Sequence, residues 1–301
     1  MSSKTIDMSP ITNPIKNIYR ILAANPSPMT YNGTNTYIID NGELAIIDPG
    51  PNNNEHLDNI LNVIDGRAVK YIFLTHSHVD HSLLAQQLSA ELKTPTYAYG
   101  NSKSGLSKTM LSLINSGYNS GSEGIDHDFD PDHLIRHGEN FDLNGQKIHA
   151  IHTPGHMGNH LCFRFDNILF TGDHIMEWAT SMVSPPYGDL TQFMESCRSL
   201  QNKGFKFFLP GHGEAVNYPD ERLNFIINHR LEREAQIKTE IEKKSLTAEE
   251  ITHIVYTNIA QSLIPAATRN VFSHLIDLKQ RGLVKFFGPI SEKTKVGKSD
   301  L

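Results

Sequence analysis

Apolar positions come in short alternating runs over the first two thirds of the chain and change to helical spacing in the last third. From Tyr19, the runs YRILA, TYIID and LAIID each read as a short strand; Asn41-Gly42 forms a hairpin turn between the second and third, and Asp48-Pro49-Gly50 closes the third. Residues 55–64 predict a helix and Val69–Leu74 a buried strand. Leu83–Leu92 predicts a further helix, with Leu84, Leu88 and Leu92 on one face and Ser82 as its N-cap. Later units share one design, an apolar strand, a glycine at the bend and a histidine or aspartate just beyond: KIHAIH runs into TPGHMGNH, NILF into TGDH, and FKFFL into PGHG. From Pro219 the period lengthens, and Leu223, Ile227, Leu231, Ile237 and Ile241 predict a long helix. Thr247 and Glu250 make a capping box for the next helix, and residues 265–281 predict another, ended at Gly282 and followed by the strand LVKFF. Two helices and a trailing strand have the outline of a winged helix.

This pattern divides the chain into a loose leader over residues 1–16, a strand-rich unit over 17–230 and a helical, winged-helix-like unit over 231–301. Residues 100–132 read as a long polar loop around a short helix near Met110, Leu111 and Ile114; a loop of that length is either functional or a surface insertion. At 301 residues with 38% hydrophobic and 20% charged positions, the chain is long enough for one large domain and a small one, and disorder is excluded. No apolar run reaches the roughly 18 residues of a membrane span, and the N-terminus lacks the apolar core of a signal peptide. Cys162 and Cys197 form no CxxC pair and read as buried small apolar residues, so the expected setting is the reducing cytoplasm. The net charge of −6 disfavours, without excluding, a nucleic-acid partner. Residues 231–301 carry 11 Lys+Arg against 9 Asp+Glu, a surplus too small to alter that.

The candidate chemistry starts at LTHSHVDHS, Leu74 to Ser82, where His76, His78, Asp80 and His81 directly follow an apolar strand. In an extended segment residues two apart point the same way, so His76 and His78 can share one metal, while Asp80 and His81 can serve a neighbouring one. The later strand-end units add His156, Asp173 and His212, and a carboxylate such as Asp173 can bridge two cations.

THSHVDH matches the HxHxDH signature of the metallo-beta-lactamase superfamily, and TPGH, TGD and PGHG resemble its later motifs in the same order. The resemblance covers about residues 17–230, together with the winged-helix-like tail of one branch. It implies an α/β fold of the α+β kind: a four-layer αββα sandwich with the site at one edge of two sheets, and a small C-terminal winged-helix-like domain. It further implies that His76, His78 and His156 hold a first metal, that Asp80, His81 and His212 hold a second, that Asp173 bridges, and that Asp48 supports the ligands from behind. Two zinc ions are expected, with iron or manganese as alternatives. The implied reaction is hydrolysis by a water that loses its proton between two cations, with Asp80 orienting it.

Aspartate rather than cysteine at position 173 makes the set resemble thioesterases, lactonases and RNA-processing enzymes more than antibiotic-degrading ones. A small-molecule thioester or other carboxylic ester is the leading substrate class. Cleavage of single-stranded RNA is one alternative. A mononuclear-iron persulfide dioxygenase using His76, His156 and Asp173 is another, and a non-catalytic winged-helix regulator a remote one. His160 is a candidate to touch substrate or protonate the leaving group. Met176, Trp178 and Tyr187 are candidates for the substrate-pocket wall. His174 is expected outside the metal shell, His152 in strand packing, and His127, His133 and His137 in solvent. The GTNTY segment from Gly33 to Tyr37 is given no chemistry, and a homodimer remains open.

Overall fold

The computed structural model describes residues 10–299. Two sheets face each other. The first holds β1 (Ile11–Ile15), β2 (Ile18–Leu22), β3 (Asn35–Asp40), β4 (Leu44–Ile47), β5 (Val69–Phe73), β6 (Thr96–Ala98) and β7 (His133–Leu134), side by side in that order. The second holds β8 (Asn140–Leu143), β9 (Gln146–His152), β10 (Leu161–Phe165), β11 (Ile168–Gly172) and β12 (Phe207–Pro210), again in chain order across the sheet. Pairing is antiparallel from β1 to β4 and from β8 to β11, and parallel from β4 to β7 and between β11 and β12.

The period-two alternation explains the four layers. Tyr37 and Ile39 of β3, Ala45 and Ile47 of β4, and Phe73 of β5 face inward, where they meet Ile148, Ala150, Leu161, Phe163 and Phe170 of the second sheet. Their sequence neighbours Ile38, Leu44, Ile46 and Ile72 face outward onto α1 (Asn54–Ile64) and α3 (Ala85–Leu92). On the other side Cys162, Leu169 and Phe208 meet α5 (Leu190–Leu200) and the first half of α6 (Pro219–Lys243). Both faces of each sheet are therefore covered, which accounts for the nearly continuous apolar runs of the central strands. The expected αββα sandwich is the observed one.

A smaller unit follows, with α7 (Ala248–Val255), α8 (Ile264–Gln280), β13 (Val284–Phe286) and β14 (Val296–Lys298). The capping box at Thr247 and Glu250 is formed, and Gly282 takes the left-handed conformation (φ 74°) just past α8. The expected division after residue 230 falls inside α6, which runs unbroken through 25 residues and lends Ile237 and Ile241 to the core of the smaller unit. The polar insertion also joins it. Its helix α4 (Lys108–Asn115) buries Met110 and Leu113 against the same core, and Tyr118 donates to Glu292 Oε1 at 2.6 Å.

Two local expectations are corrected. Residues 11–15, assigned to a loose leader, form β1, because Ile11 and Thr12 pair with Ile21 and Arg20 across a bulge at Asn13-Pro14; residues 1–9 of that leader lie outside the described residues. Ser82 does not cap a helix. It ends the short helical turn α2 (Val79–Ser82), and its hydroxyl donates to His78 O and to Asp126 Oδ2. A capping residue takes non-helical backbone angles, whereas Ser82 is itself helical and Leu84, the residue before α3, stays helical at φ −82° and ψ −10°.

The inter-sheet core is aromatic at its centre: Phe73 lies 4.8 Å from Phe163 and 5.0 Å from Phe141, centroid to centroid. Phe73→Ala is expected to lower the unfolding free energy by about 3–5 kcal/mol in a urea titration. A loss under about 1 kcal/mol would mean that this cluster does not hold the sheets together.

Candidate metal centre

Strand geometry brings the site together. β4, β5, β11 and β12 end at one edge of the sandwich and release Asp48, the segment Thr75 to His81, Asp173 and His212 there. The loop after β9 delivers His156 to the same edge. β3 runs antiparallel to β4, so its beginning, Thr34 and Asn35, lies there too. Close approach of these ends requires glycine. A Cβ on Gly211 would stand 2.6 Å from Asp173 Oδ1, and one on Gly172, itself at φ +46°, would stand 2.6 Å from Thr75 Oγ1.

The side chains fall into two groups, each with its donor atoms within 4.8 Å of one another: His76, His78, His156 and Asp173 in one, and Asp80, His81 and His212 in the other. All seven are residues singled out in the sequence. The extended geometry expected of the segment holds as far as His78; Val79–Ser82 is helical, and Asp80 Oδ2 lies 3.3 Å from His81 Nε2 and 3.3 Å from His212 Nε2. Asp173 stands between the groups, with Oδ1 at 3.4 Å from His81 and Oδ2 at 3.3 Å from His212 and 3.6 Å from His156.

Four of the five rings are aimed by a bond on the far side. His81 Nδ1 meets Asp48 Oδ2 at 2.9 Å, His156 Nδ1 meets Met182 O at 2.7 Å, and His212 Nδ1 meets Gly33 O at 3.1 Å. His76 Nδ1 meets Thr75 Oγ1 at 2.9 Å. Thr34 Oγ1 donates to Asp80 Oδ2 at 2.8 Å. Such bonds fix which ring nitrogen is free to coordinate. The GTNTY segment therefore does carry part of the site. Besides Thr34, the Asn35 amide donates to Pro210 O and Gly213 O, and Thr36 Oγ1 donates to Asp48 O. Its signal in the sequence was a run of small polar residues at the start of a buried strand, where such residues need a specific reason to be inside.

The donor set fits a divalent cation. His76 Nε2 and His156 Nε2 face His78 Nδ1 at 2.9 and 3.0 Å. Burial, reinforced by neighbouring imidazoles, pushes His76 well below its usual range and His78 to about 3; burial also lowers His156. Neutral rings with lone pairs converging on one point are what a metal uses. Burial alone would raise Asp80 and Asp173, but His81 and His212 outweigh it and hold both carboxyls well below the usual carboxylate range. Burial likewise opposes the charging of His81 and His212, yet the carboxylates raise His81 well above normal and His212 to about 10. The negative field that does this is one a cation would share. His81 Nε2 and Asp173 Oδ1 are buried and find no hydrogen-bond partner among the described residues, although both point into the cluster.

The cluster opens into a cavity of about 850 Å³. Met176, Trp178 and Tyr187 line it, and Trp178 stacks on Tyr31 with centroids 5.0 Å apart. Arg222 of α6 fixes the loop beneath Trp178 through Met176 O and Ala179 O. The smaller unit supplies Tyr256, Ile259 and Leu263 to the opposite wall, a contribution that helical periodicity could not reveal. His160 is corrected. It is fully buried, meets Thr153 Oγ1 at 2.9 Å and holds its ring 5.2 Å from that of His76, so it lines no part of the cavity and cannot touch a substrate there. His174 stays outside the cluster against Cys197, His152 stacks on Tyr99, and both cysteines are buried and free.

The metallo-beta-lactamase superfamily domain matches residues 29–212, well over half of the chain. The chain belongs to the metallo-beta-lactamase superfamily. A beta-lactamase-associated winged helix domain matches residues 247–289. With the buried His/Asp cluster, that membership makes it a metal-dependent hydrolase. It is 28% identical to the beta-lactamase-like protein 2 homolog of Drosophila melanogaster over 91% of this chain and 92% of the relative. It is 31% identical to atrochrysone carboxyl ACP thioesterase of Aspergillus aculeatus over 77% of this chain and 64% of the relative. In fold it resembles a beta-lactamase domain protein from Burkholderia ambifaria, with a TM-score of 0.77 at 17% identity over 96% of this chain and 93% of the other. Among the described residues no helix is long and apolar enough to cross a membrane.

Asp48→Ala frees the His81 ring from its buried partner. It is expected to weaken metal retention about 10–100-fold in a chelator competition, with the far-UV circular dichroism spectrum kept. Wild-type retention would show that the cluster needs no support from Asp48.

Proposed function

We propose that the chain hydrolyses a small-molecule thioester or related carboxylic ester or lactone, using two divalent metal ions, preferentially zinc. His76, His78 and His156 would hold one ion, Asp80, His81 and His212 the other, with Asp173 shared. When bound, the ions supply Lewis acidity and a water acidic enough to attack near neutral pH. Imidazole and carboxylate donors suit zinc and also accept iron or manganese.

The observation that carries the substrate class is the cavity itself. At about 850 Å³, walled by Met29, Met176, Trp178, Tyr187, Ile259 and Leu263 and ending on the cluster, it has the size and apolarity of a small-molecule site. An RNA backbone calls for an open basic track, and the chain has a net charge of −6. The name of the Aspergillus relative, a thioesterase, agrees with this reading.

The residues then divide the work. The cavity wall holds the acyl group and excludes water from it. Asp80, fixed by Thr34, accepts a hydrogen bond from the attacking water and orients it. The water oxygen joins the carbonyl carbon, the carbon–sulfur bond breaks, and the released proton neutralises the departing thiolate. Neither Cys162 nor Cys197 takes part, because both are buried and burial pushes their thiols up, Cys162 to about 12.

Elemental analysis of protein purified without added metal, followed by thiol-release assays on acetyl and butyryl thioesters, tests the reading. About two zinc ions per chain and thioester turnover are expected. One iron per chain with oxygen uptake on a persulfide, or cleavage of single-stranded RNA with no thioester turnover, would overturn it. Asp80→Ala is expected to lose one metal equivalent and all turnover while remaining folded; retained activity would exclude the two-metal arrangement. Trp178→Ala is expected to raise KM about 2- to 10-fold, and unchanged kinetics would remove Trp178 from the substrate wall.

A further inference from the structure

The same cavity carries positive charge that the hydrolytic cluster does not use. Arg230 of α6 lies on its wall and is only 2% exposed. Among the described residues it has no carboxylate partner. Its guanidinium donates to Asn270 Oδ1 and to Ser181 O, stands over the Phe193 ring at 5.4 Å, and leaves Nε with no acceptor. Arg269 of α8 lines the cavity as well, and its Nε is likewise buried without an acceptor. Asn270 is held between Arg230 and the Tyr256 hydroxyl, so it fixes the arginine and does not neutralise it. Apart from Asp80 and Asp173 in the cluster, the carboxylate on the cavity wall is Glu123, which is exposed and makes no ion pair with either arginine within 4.0 Å. A buried guanidinium satisfied only by neutral acceptors is costly, and the cost falls when an anion completes its donor fork.

We propose that Arg230, braced by Asn270, and Arg269 form an anion-recognition subsite, so that the substrate carries a carboxylate or phosphate apart from the bond that is cleaved. This rests on the hydrolase reading for its chemistry. The subsite lies where the two units meet. Arg230 comes from the α6 segment shared by both, while Arg269 and Asn270 come from the smaller unit, which gives that unit a part in selecting substrate. Arg230 also touches the cluster at one remove, because Ser181, whose carbonyl it holds, donates through its hydroxyl to Asp173 O at 2.5 Å. An anion docked on the arginines would therefore be registered against the reacting end of the cavity.

Matched substrates test this on the metal-loaded enzyme. Succinyl against butyryl pantetheine thioesters place a carboxylate on the acyl side, and butyryl coenzyme A against butyryl pantetheine places phosphates on the leaving side. The charged member of one pair is expected to show a kcat/KM about tenfold or more above its neutral partner, and that ratio is expected to collapse in Arg269→Met and in Arg230→Met. The pair that discriminates names the anion. Equal rates within both pairs, or a ratio unchanged in Arg269→Met, would overturn the proposal. Should Arg230→Met fail to fold, Arg269→Met decides alone. Calorimetric binding of glutarate and of inorganic phosphate separates this from failure of the hydrolase reading, because it needs no turnover. Binding weakened about tenfold in Arg269→Met supports the subsite even if no thioester is cleaved; equal binding by wild type and variant overturns it.

Discussion

The centre is organised around one buried carboxylate. Asp48 sits just past β4 in the left-handed region, at φ 54°, and is 2% exposed. It accepts from Thr75 N at 2.7 Å, from Thr75 Oγ1 at 2.8 Å and from His81 Nδ1 at 2.9 Å. These bonds tie the end of one strand to the end of its parallel neighbour and to the helical turn beyond it. A non-glycine residue held in that backbone region carries strain, which the surrounding bonds must offset. The offset is useful here, since the same bonds set the position of the whole His76–His81 segment. Thr36 seals the arrangement by donating to Asp48 O, while His56 closes over the Thr36 hydroxyl at 2.8 Å.

How much of this was legible depends on the range of the interaction. The strands were readable because each obeys a local period, and the HxHxDH segment because its residues are neighbours in the chain. The convergence of His156, Asp173 and His212 was readable for a related reason, since each follows its own strand and glycine bend. What escaped was support across long sequence gaps. Thr34 reaches Asp80 over 46 positions, His156 takes its orientation from Met182 O, and neither contact leaves a periodic trace. His160 misled for the opposite reason. It stands four positions after His156, yet the chain rejoins a buried strand at Leu161, and His160 turns inward with it.

The smaller unit shows the same limit at larger scale. Its helices, capping box and glycine stop could be read locally, but not its seating on the hydrolase unit. The seating is made by α6, which buries Leu223 and Ile226 against the second sheet and then Ile237 and Ile241 against α7 and α8. It is reinforced by α4 from the insertion and by Thr191, whose hydroxyl donates to Asp277 Oδ1 at 2.6 Å. A continuous helix shared by two cores transmits position better than a flexible joint. Residues of the smaller unit can therefore serve as a fixed wall of the cavity.

That division separates reactivity from selection. The cluster is held by strand ends, backbone carbonyls and Asp48, and its rings have almost no freedom to adapt to different substrates. The cavity wall comes from other segments: the loop carrying Trp178, the turn around Tyr31 and the helices after Lys243. Side-chain changes there alter volume and charge while keeping the backbone carbonyls that aim two of the rings, Met182 O for His156 and Gly33 O for His212. Arg230 is the exception, since its carbonyl partner Ser181 also bonds Asp173 O, so the charge that would select an anion is mechanically joined to the residue shared by both halves of the centre. Under the proposed anion subsite, a substrate bound at Arg230 would be coupled through Ser181 to the backbone of Asp173, and selection and chemistry would meet at that one contact.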